Sequence, residues 1–398
     1  MQIRNPSALL EIVAAARGFG SVAIDTEFIR EKTYRPQLCL VQIATRDVVC
    51  TLDPFLFDDL SPLIDLVLDP DVEKVLHSGE QDMEIFFTLR RKAPRNIFDT
   101  QVAAALLGLG ESISYARLVE DVLGVKLQKI ETFTDWAQRP LTQRQVEYAL
   151  DDVRYLYKLR DALEAEVKGL GRADWLVEEL KFYEEASTYV KDAAILYKKV
   201  KGAARLEARE LGLLRELAAW REEEAERVDM PRGRVILDES LVELARRAPA
   251  SLEAVGAVRG VHPQLVRRSG EEIIRRVARG LKLSPAALPP PIERRASDEE
   301  LSLVVDLLEV VLRSRAAENR IAPAYVATRK DLAELARREL RGGGPEDGEP
   351  LPILSGWRRR IAGEALVALL EGRSHLSIDR AATRVEVSER PKGPGAPS

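Results

Sequence analysis

The sequence contains only three histidines and two cysteines among its 398 residues. The scarcity of histidine argues against a zinc site built from several histidines and against a serine–histidine hydrolase. Chemistry must instead rest on carboxylates, tyrosine, lysine or arginine. Cys39 and Cys50 lie in apolar, strand-like segments and are interpreted as core thiols in a reducing cytoplasm.

Long apolar runs are missing as well. No stretch approaches the roughly 20 apolar residues that a membrane span needs, so we expect a cytoplasmic protein without a membrane partner. The net charge of −5 does not indicate nucleic-acid binding. Residues 1–200 carry 25 Lys/Arg against 33 Asp/Glu, whereas residues 201–398 carry 35 against 32. This indicates either an acidic half that holds cations beside a mildly basic half, or ordinary surface variation.

The first 165 residues alternate between strand and helix patterns. Short segments rich in Val, Ile and Leu predict strands over Ser21–Phe28, Gln37–Thr45, Val48–Leu52 and Glu73–His77. Helices are predicted over residues 60–68, 82–89, 98–107, 114–123 and 142–167, the last opening with a capping-box pattern. The sum predicts an α/β domain with a mixed sheet.

From about residue 174 onward only helical patterns occur, including long helices over 174–200 and 206–227. A seven-residue sequence at 241–247 recurs almost unchanged at 332–338, with a proline at a similar distance before each copy, which indicates a duplicated helical module. We therefore divide the chain into a domain 1–170, a connecting helix 171–205, a helical domain 206–285, a proline-rich linker 286–297, a second helical domain 298–372 and a disordered tail 373–398.

Two acidic residues interrupt the first predicted strand. Asp25 and Glu27 lie two apart in an otherwise apolar run, so strand alternation places both carboxylates on one face. Adjacent carboxylates repel each other unless cations neutralise them, and oxygen-binding divalent ions such as Mg²⁺ or Mn²⁺ would do so.

Further acidic residues begin or line helices. Asp82 follows a short strand at the start of a helix, where a simple capping role is the alternative. Tyr148 and Asp152 are four apart and share one helix face, whereas Asp151 points away. Asp82 and Asp152, together with Asp25 and Glu27, could hold two cations of the kind found in phosphoryl-transfer sites. Tyr148 would orient the attacking water.

These motifs resemble the ribonuclease D family of the DEDD superfamily. The resemblance rests on Asp-Thr-Glu-Phe at 25–28, His-x-Gly-x-x-Asp at 77–82 and Tyr-x-x-x-Asp at 148–152, with further similarity at 97–101 and 135–141. The tyrosine at 148 matches the tyrosine subclass. Residues 217–249 resemble an HRDC domain, and 298–372 resemble a more divergent copy. The resemblance implies a ribonuclease H-like fold followed by all-α HRDC domains. It also implies metal-binding roles for Asp25, Glu27, Asp82 and Asp152, and a water-orienting role for Tyr148.

Residues that could contact the substrate are less distinctive. We consider Phe28 near a terminal base, His77 from the second motif, and Lys129 and Arg139 against phosphates. Core packing is the plain alternative for Phe28, and solvation is the plain alternative for Lys129 and Arg139. Ile130 and Phe133 depart from the family pattern, which could alter the grip on the substrate backbone. Arginine clusters at 267–279 and 358–360 could supply sequence-independent phosphate attraction.

The resemblance implies a 3′–5′ exoribonuclease that uses two divalent metal ions, Mg²⁺ or Mn²⁺, and releases 5′-mononucleotides. Its partner would be RNA with a free 3′ end, such as transfer RNA precursors, and we expect a monomer without an obligate protein partner. A DNA 3′–5′ exonuclease is the nearest alternative, since nothing in the sequence identifies a contact to the 2′-hydroxyl. A non-catalytic nucleic-acid-binding protein is the other alternative, but no carboxylate of the set is missing.

Overall fold

The structure is a computed structural model, and it describes residues 1–127, 135–190, 192–292, 299–341, 351–382 and 384–389. The predictions made for Lys129, Ile130 and Phe133 lie outside these residues.

A six-stranded mixed sheet organises the N-terminal domain. Its strands are β1 (Gln2–Ile3), β2 (Ser21–Ile29), β3 (Gln37–Ala44), β4 (Val49–Leu52), β5 (Glu73–Leu76) and β6 (Ile97–Asp99). Their spatial order is β1-β4-β3-β2-β5-β6. Strands β2, β3 and β4 form the antiparallel meander, whereas β1, β5 and β6 pair in parallel with β4, β2 and β5. The predicted mixed sheet is confirmed.

Strand β6 corrects the helix predicted from Phe98. Residues 97–99 pair with β5, and the helix begins at Thr100 because Asp99 caps it with bonds from the amides of Gln101 and Val102. A three-residue strand is too short to show alternation, so the pattern merges with the helix that follows.

Helices cover both faces of the sheet. On one face lie α1 (Pro6–Phe19), α2 (Ser61–Val67) and α3 (Glu80–Arg90). On the other lie α4 (Thr100–Leu106), α5 (Tyr115–Leu123), α6 (Gln143–Arg154) and α7 (Leu156–Gly169). Strand β2 serves both cores by alternation, since Val22 and Ile24 pack in the first and Ala23 in the second.

The helix predicted over 142–167 is two helices. The expected capping box is present, with reciprocal bonds between Thr142 and Gln145. The helix breaks at Tyr155, whose amide donates to the hydroxyl of Tyr115 (3.2 Å), and that hydroxyl donates to the carbonyl of Asp151 (3.0 Å). The Tyr115 side chain thus takes up backbone groups at the break, beside Asp152.

The connecting helix predicted over 171–205 is also wrong. The segment forms α8 (Ala173–Leu180), α9 (Ala186–Tyr189) and three 3₁₀ turns (Lys181–Glu184, Leu196–Lys199 and Ala203–Arg205). The hydroxyl of Tyr183 donates to Asp99 (2.6 Å), and that of Tyr189 to the carbonyl of Tyr183 (2.8 Å). These contacts hold the segment against the N-terminal domain, whereas one straight helix would extend away from that domain.

Two helical modules follow, in the predicted order. The first helical module contains α10 (Ala208–Arg227), α11 (Arg232–Val235), α12 (Asp238–Arg247), α13 (Leu252–Gly256) and α14 (Pro263–Leu281). The second contains α15 (Glu299–Glu318), α16 (Pro323–Val326), α17 (Arg329–Arg341), α18 (Gly356–Arg358), a π-helical turn (Arg359–Gly363) and α19 (Glu364–Leu370). Each opens with a 20-residue helix, a four-residue helix and then the helix that carries the repeated sequence.

The modules dock differently on the N-terminal domain. The first has its own core and makes polar contacts: Tyr34 donates to Glu222 (2.6 Å), and Arg35 pairs with Glu226 (3.0 Å). The second shares a core with α4, α7 and α8, and Trp357 stacks on Trp175 with ring centroids 5.2 Å apart.

The predicted disorder from residue 373 is wrong for most of that segment. Strands β7 (Ser374–Asp379) and β8 (Arg384–Glu389) form an antiparallel hairpin, with Leu376 and Val387 packed on the core of the second helical module. Each strand of this hairpin has a short alternation of apolar and polar residues. Across the described ranges, the helices are all too short or too polar to cross a membrane.

Candidate active site

The site begins on strand β2. Asp25 and Glu27 lie on one face as alternation predicts, before an irregularity in the register with β3 between Glu27 and Phe28. Such a bulge re-aims the side chains that follow it. Phe28 is half-buried with the guanidinium of Arg30 5.1 Å from its ring centroid, and its contact with a terminal base stays a prediction.

Helix α6 brings the second part of the site. Asp152 lies close to β2: one carboxylate oxygen from each of Asp25, Glu27 and Asp152 lies within 4.8 Å of the others. These three residues form what we call the carboxylate cluster. Tyr148 lies one turn earlier on α6 and stacks on Trp136, with centroids 6.2 Å apart. Trp136 therefore packs beside the Tyr148 ring.

Asp82 adjoins this cluster from the first turn of α3. It is buried, and the hydroxyl of Thr26 donates a short hydrogen bond to its Oδ1. The charge of Asp82 is among the causes that raise the pKa of Asp25. The plain capping role considered for Asp82 does not describe this position, because Thr26 ties the carboxylate to strand β2.

The electrostatics of the cluster are those of crowded, sheltered carboxylates. Burial, and then the charges of Asp82, Asp152 and Glu27, raise the pKa of Asp25 well above its usual value. Burial and neighbouring carboxylates raise the pKa of Glu27 to about 8, and burial and Asp151 raise that of Asp152 to about 8. Burial raises the pKa of Asp82 to about 6. Burial and the nearby carboxylates also raise the pKa of Tyr148, which keeps its phenol protonated.

The donor set fits divalent cations. Carboxylate oxygens are the ligands that Mg²⁺ and Mn²⁺ prefer, and within the described residues no arginine or lysine pairs with Asp25, Glu27 or Asp152. Bound cations would supply the positive charge that the described residues around the cluster do not. Asp25, Glu27, Asp82 and Asp152 are the residues that would hold them.

Asp99 supports the site and was missed as a functional residue. Its carboxylate accepts bonds from the amides of Ser78 (3.0 Å) and Gly79 (3.2 Å), and from the hydroxyl of Tyr183. These amides belong to the turn that leads into the helix carrying Asp82. The sequence signal for Asp99 is the family similarity at 97–101, because the helix predicted from residue 98 concealed the position of Asp99 as a cap.

His77 occupies the same supporting layer. Its Nδ1 lies 2.9 Å from the hydroxyl of Thr100 and its Nε2 lies 3.0 Å from the carbonyl of Ile113. Burial lowers the pKa of His77, which favours a neutral ring. Because both ring nitrogens have protein partners, this arrangement favours a positioning role over the substrate contact considered from the sequence.

Arg139 likewise differs from its predicted role at a phosphate. Its guanidinium makes a bidentate pair with Asp53 (2.5 and 2.9 Å) and donates to the carbonyls of Trp136, Gln138 and Cys39. These bonds use all five of its N–H donors. Arg139 therefore holds the segment that carries Trp136, and has no donor left for a phosphate.

The fold and this site define a 3′–5′ exonuclease domain joined to two helical modules. Residues 1–168 match the 3′-5′ exonuclease family model, and residues 210–277 match the HRDC domain model.

Known proteins narrow the class. The chain is 39% identical to ribonuclease D of Gluconacetobacter diazotrophicus over 388 residues, which is 96% of this chain and 95% of that protein. It is 40% identical to ribonuclease D of Sphingobium indicum, over 94% and 96% of the two chains. Its structure is similar to that of Escherichia coli RNase D, an exoribonuclease involved in structured RNA processing, with a TM-score of 0.79 and 30% identity over 94% of this chain and 98% of that one. The chain belongs to the ribonuclease D family.

Proposed function

We propose that this ribonuclease D family enzyme hydrolyses RNA from its 3′ end by a two-metal mechanism, releasing 5′-mononucleotides. The observation that carries the proposal is the carboxylate cluster, with oxygens from Asp25, Glu27 and Asp152 within 4.8 Å of one another and Asp82 adjoining it. Such crowding, with no arginine or lysine of the described residues paired to it, is costly, and it matches the ligand set that divalent ions need.

The protein's own residues would divide the work. When bound, a pair of divalent cations would activate the attacking water and stabilise the leaving 3′-oxygen. Tyr148, kept protonated and held by its stack on Trp136, is suited to orient that water by hydrogen bonding rather than to act as its base. Asp99 and Thr26 keep Asp82 in place, so that the carboxylates are held before substrate arrives.

The RNA that this enzyme trims is proposed from its relatives. RNase D of Escherichia coli acts in structured RNA processing, and we propose transfer RNA precursors and other stable RNAs with a free 3′ end as substrates here. We further propose that the enzyme works as a monomer in the cytoplasm, where buried, unpaired thiols such as Cys39 and Cys50 persist.

Two neighbouring aspartates provide a matched test of this proposal. Asp152→Asn removes a member of the carboxylate cluster. Asp151→Asn changes the residue just before it, which pairs with Arg154 instead. With 5′-labelled single-stranded RNA and Mn²⁺ or Mg²⁺, we expect stepwise 3′ shortening by the wild type and by Asp151→Asn. We expect none by Asp152→Asn, or by the wild type in excess chelator.

Matched DNA strands, run in the same assay, decide the sugar preference. Faster shortening of DNA than RNA would replace the proposed substrate with DNA. Equal rates for Asp152→Asn and wild type would reject the proposed site.

A further inference from the structure

Gln42 is a buried amide for which the described part of the chain offers no hydrogen-bond partner. It lies on β3, its exposure is 0%, and neither Oε1 nor Nε2 bonds to any described residue. An amide carries an acceptor and two donors, and leaving them unsatisfied inside a protein costs free energy. Groups of this kind are rare in folded proteins, and each needs a physical explanation.

The strand register directs Gln42 toward the nuclease site. Gln42 pairs directly with Asp25 on β2 and with Thr51 on β4. Directly paired residues of antiparallel strands project to the same face, with Cβ atoms about 4.5–5.5 Å apart. Gln42 is therefore the nearest cross-strand neighbour of Asp25, on the face that carries the cluster.

Helix α6 closes over Gln42 from above that face. Leu40 and Ala44 flank Gln42 on the same side of β3; Leu40 packs in a cluster with Ala149, and Ala44 in one with Val153. Helix α6, which carries both Ala149 and Val153, also carries Tyr148 and Asp152. The amide is thus enclosed between the strand of Asp25 and the helix of Asp152.

We propose that Gln42 is a positioning residue of the nuclease site, whose Nε2 donates a hydrogen bond to the cation-loaded carboxylates, to Asp25 directly or through one buried water. An ionised carboxylate accepts hydrogen bonds only, so the donors of Gln42 are complementary to it. Groups that hold a metal-binding carboxylate in place tune its orientation and its affinity for the ion. This inference rests on the two-metal proposal, and it gives the unsatisfied amide a role in the loaded enzyme.

The test replaces the amide by an apolar side chain of similar length in the full chain. Gln42→Met and Gln42→Leu are compared with Thr51→Val, which changes the buried residue next in the row and one strand farther from Asp25. For each variant, urea unfolding in chelator, Mn²⁺ affinity by calorimetric titration, and kcat and KM on RNA are measured.

We expect both Gln42 variants to unfold at the same or a higher urea concentration than the wild type, because an unsatisfied buried amide is removed. Their Mn²⁺ affinity should fall about 10-fold, and kcat by a similar factor at unchanged KM. Thr51→Val should leave the Mn²⁺ affinity unchanged.

Unchanged Mn²⁺ affinity in both Gln42 variants would overturn the inference, whatever the stability of the metal-free variants. Asp25→Asn is titrated in parallel to separate the two proposals. If Asp25→Asn loses Mn²⁺ binding while the Gln42 variants keep it, only the role of Gln42 fails. If Asp25→Asn also binds normally, the two-metal proposal fails.

Discussion

Glu224 and Asp25 are both sheltered carboxylates, but among the described residues only Glu224 has cationic partners. Glu224, in the first helical module, accepts from Arg227 (2.8 Å), Arg268 (2.9 Å) and Ser269 (3.2 Å), and the bond from Arg227 is the main cause that lowers its pKa. Asp25 has carboxylates as its charged neighbours, and burial together with these charges raises its pKa.

Arginines of the protein neutralise the charge of Glu224, whereas the charge of Asp25 would be neutralised by a bound cation. A paired carboxylate stabilises the fold, since its ionised form is preferred in the native state. The carboxylate cluster does the reverse when it is ionised, and this cost is offset when a cation binds or, at lower pH, when the carboxylates take up protons. Removing an acid should therefore have opposite consequences in the two regions.

The largest expected effect comes from Asp25→Asn. Changing groups that merely support a metal ligand commonly costs 10–100-fold, so loss of a ligand should reduce kcat/KM on RNA by about 100-fold or more. The metal-free variant should be at least as stable as the wild type, because one crowded charge is removed. Glu224→Gln is the reverse control: it should keep kcat and lose about 1–3 kcal/mol of stability in urea unfolding. A Glu224→Gln variant that kept its stability and lost its activity would contradict this contrast between the two carboxylates.

The second effect is a pH dependence of metal binding. Since the pKa values of Glu27 and Asp152 are raised to about 8, cations must displace protons below that pH. Affinity for Mn²⁺ should therefore tighten by up to about tenfold per pH unit for each proton released between pH 6 and 8. Calorimetric titration in buffers of different ionisation enthalpy counts the protons. Affinity that is constant from pH 6 to 8 would show that the carboxylates are already ionised.

The same shifts set the stability of the metal-free protein. A carboxylate whose pKa is raised in the folded state binds its proton more tightly in the native protein. Its contribution to the free energy of unfolding is therefore greatest at pH values below its pKa in the unfolded chain, near 4. It should decrease as pH rises toward about 8. Urea midpoints measured in chelator at pH 5 and pH 8 check the sign, and Mn²⁺ should restore more stability at pH 8.

The sequence predicts the cluster well because its signal is local. Asp25 and Glu27 follow from strand alternation, and Tyr148 and Asp152 from helical spacing. Arg139 could not be assigned in this way, since its partner Asp53 lies 86 positions earlier in the chain.

The same limit applies to the parts of the fold that were missed. Tyr183 bends the segment after the first domain toward Asp99, 84 positions away. Gln42 looks like one polar residue in an apolar strand until the register places it opposite Asp25. What depends on such distant pairings becomes visible only in the folded chain.

A third, smaller effect tests the corrected role of Arg139. Arg139→Lys removes the bidentate pair with Asp53, which we expect to cost about 2 kcal/mol because lysine cannot reproduce the planar fork. The KM for RNA should remain unchanged, since the guanidinium has no donor free for a phosphate. Urea unfolding and steady-state kinetics measure the two quantities. A normal stability with a strongly raised KM would restore the substrate contact first considered for this residue.

The smallest effect is expected at the exposed pairs that dock the first helical module. Glu226 pairs with Arg35 (3.0 Å) and Arg91 (2.5 Å), and about a third of its side chain is exposed. Glu226→Gln should therefore cost no more than about 1 kcal/mol, and less at high salt. Urea unfolding at low and at molar salt compares it with wild type. A large, salt-independent loss would show that this carboxylate is held like Glu224.

Binding of two ions by the four carboxylates can be observed by diffraction from crystals grown with Mn²⁺, recorded at a wavelength where manganese scatters anomalously. We expect two anomalous peaks about 3.5–4 Å apart, held by oxygens of Asp25, Glu27, Asp82 and Asp152, and the loss of these peaks in Asp25→Asn. Manganese bound elsewhere, with these four carboxylates left without it, would refute the two-metal site.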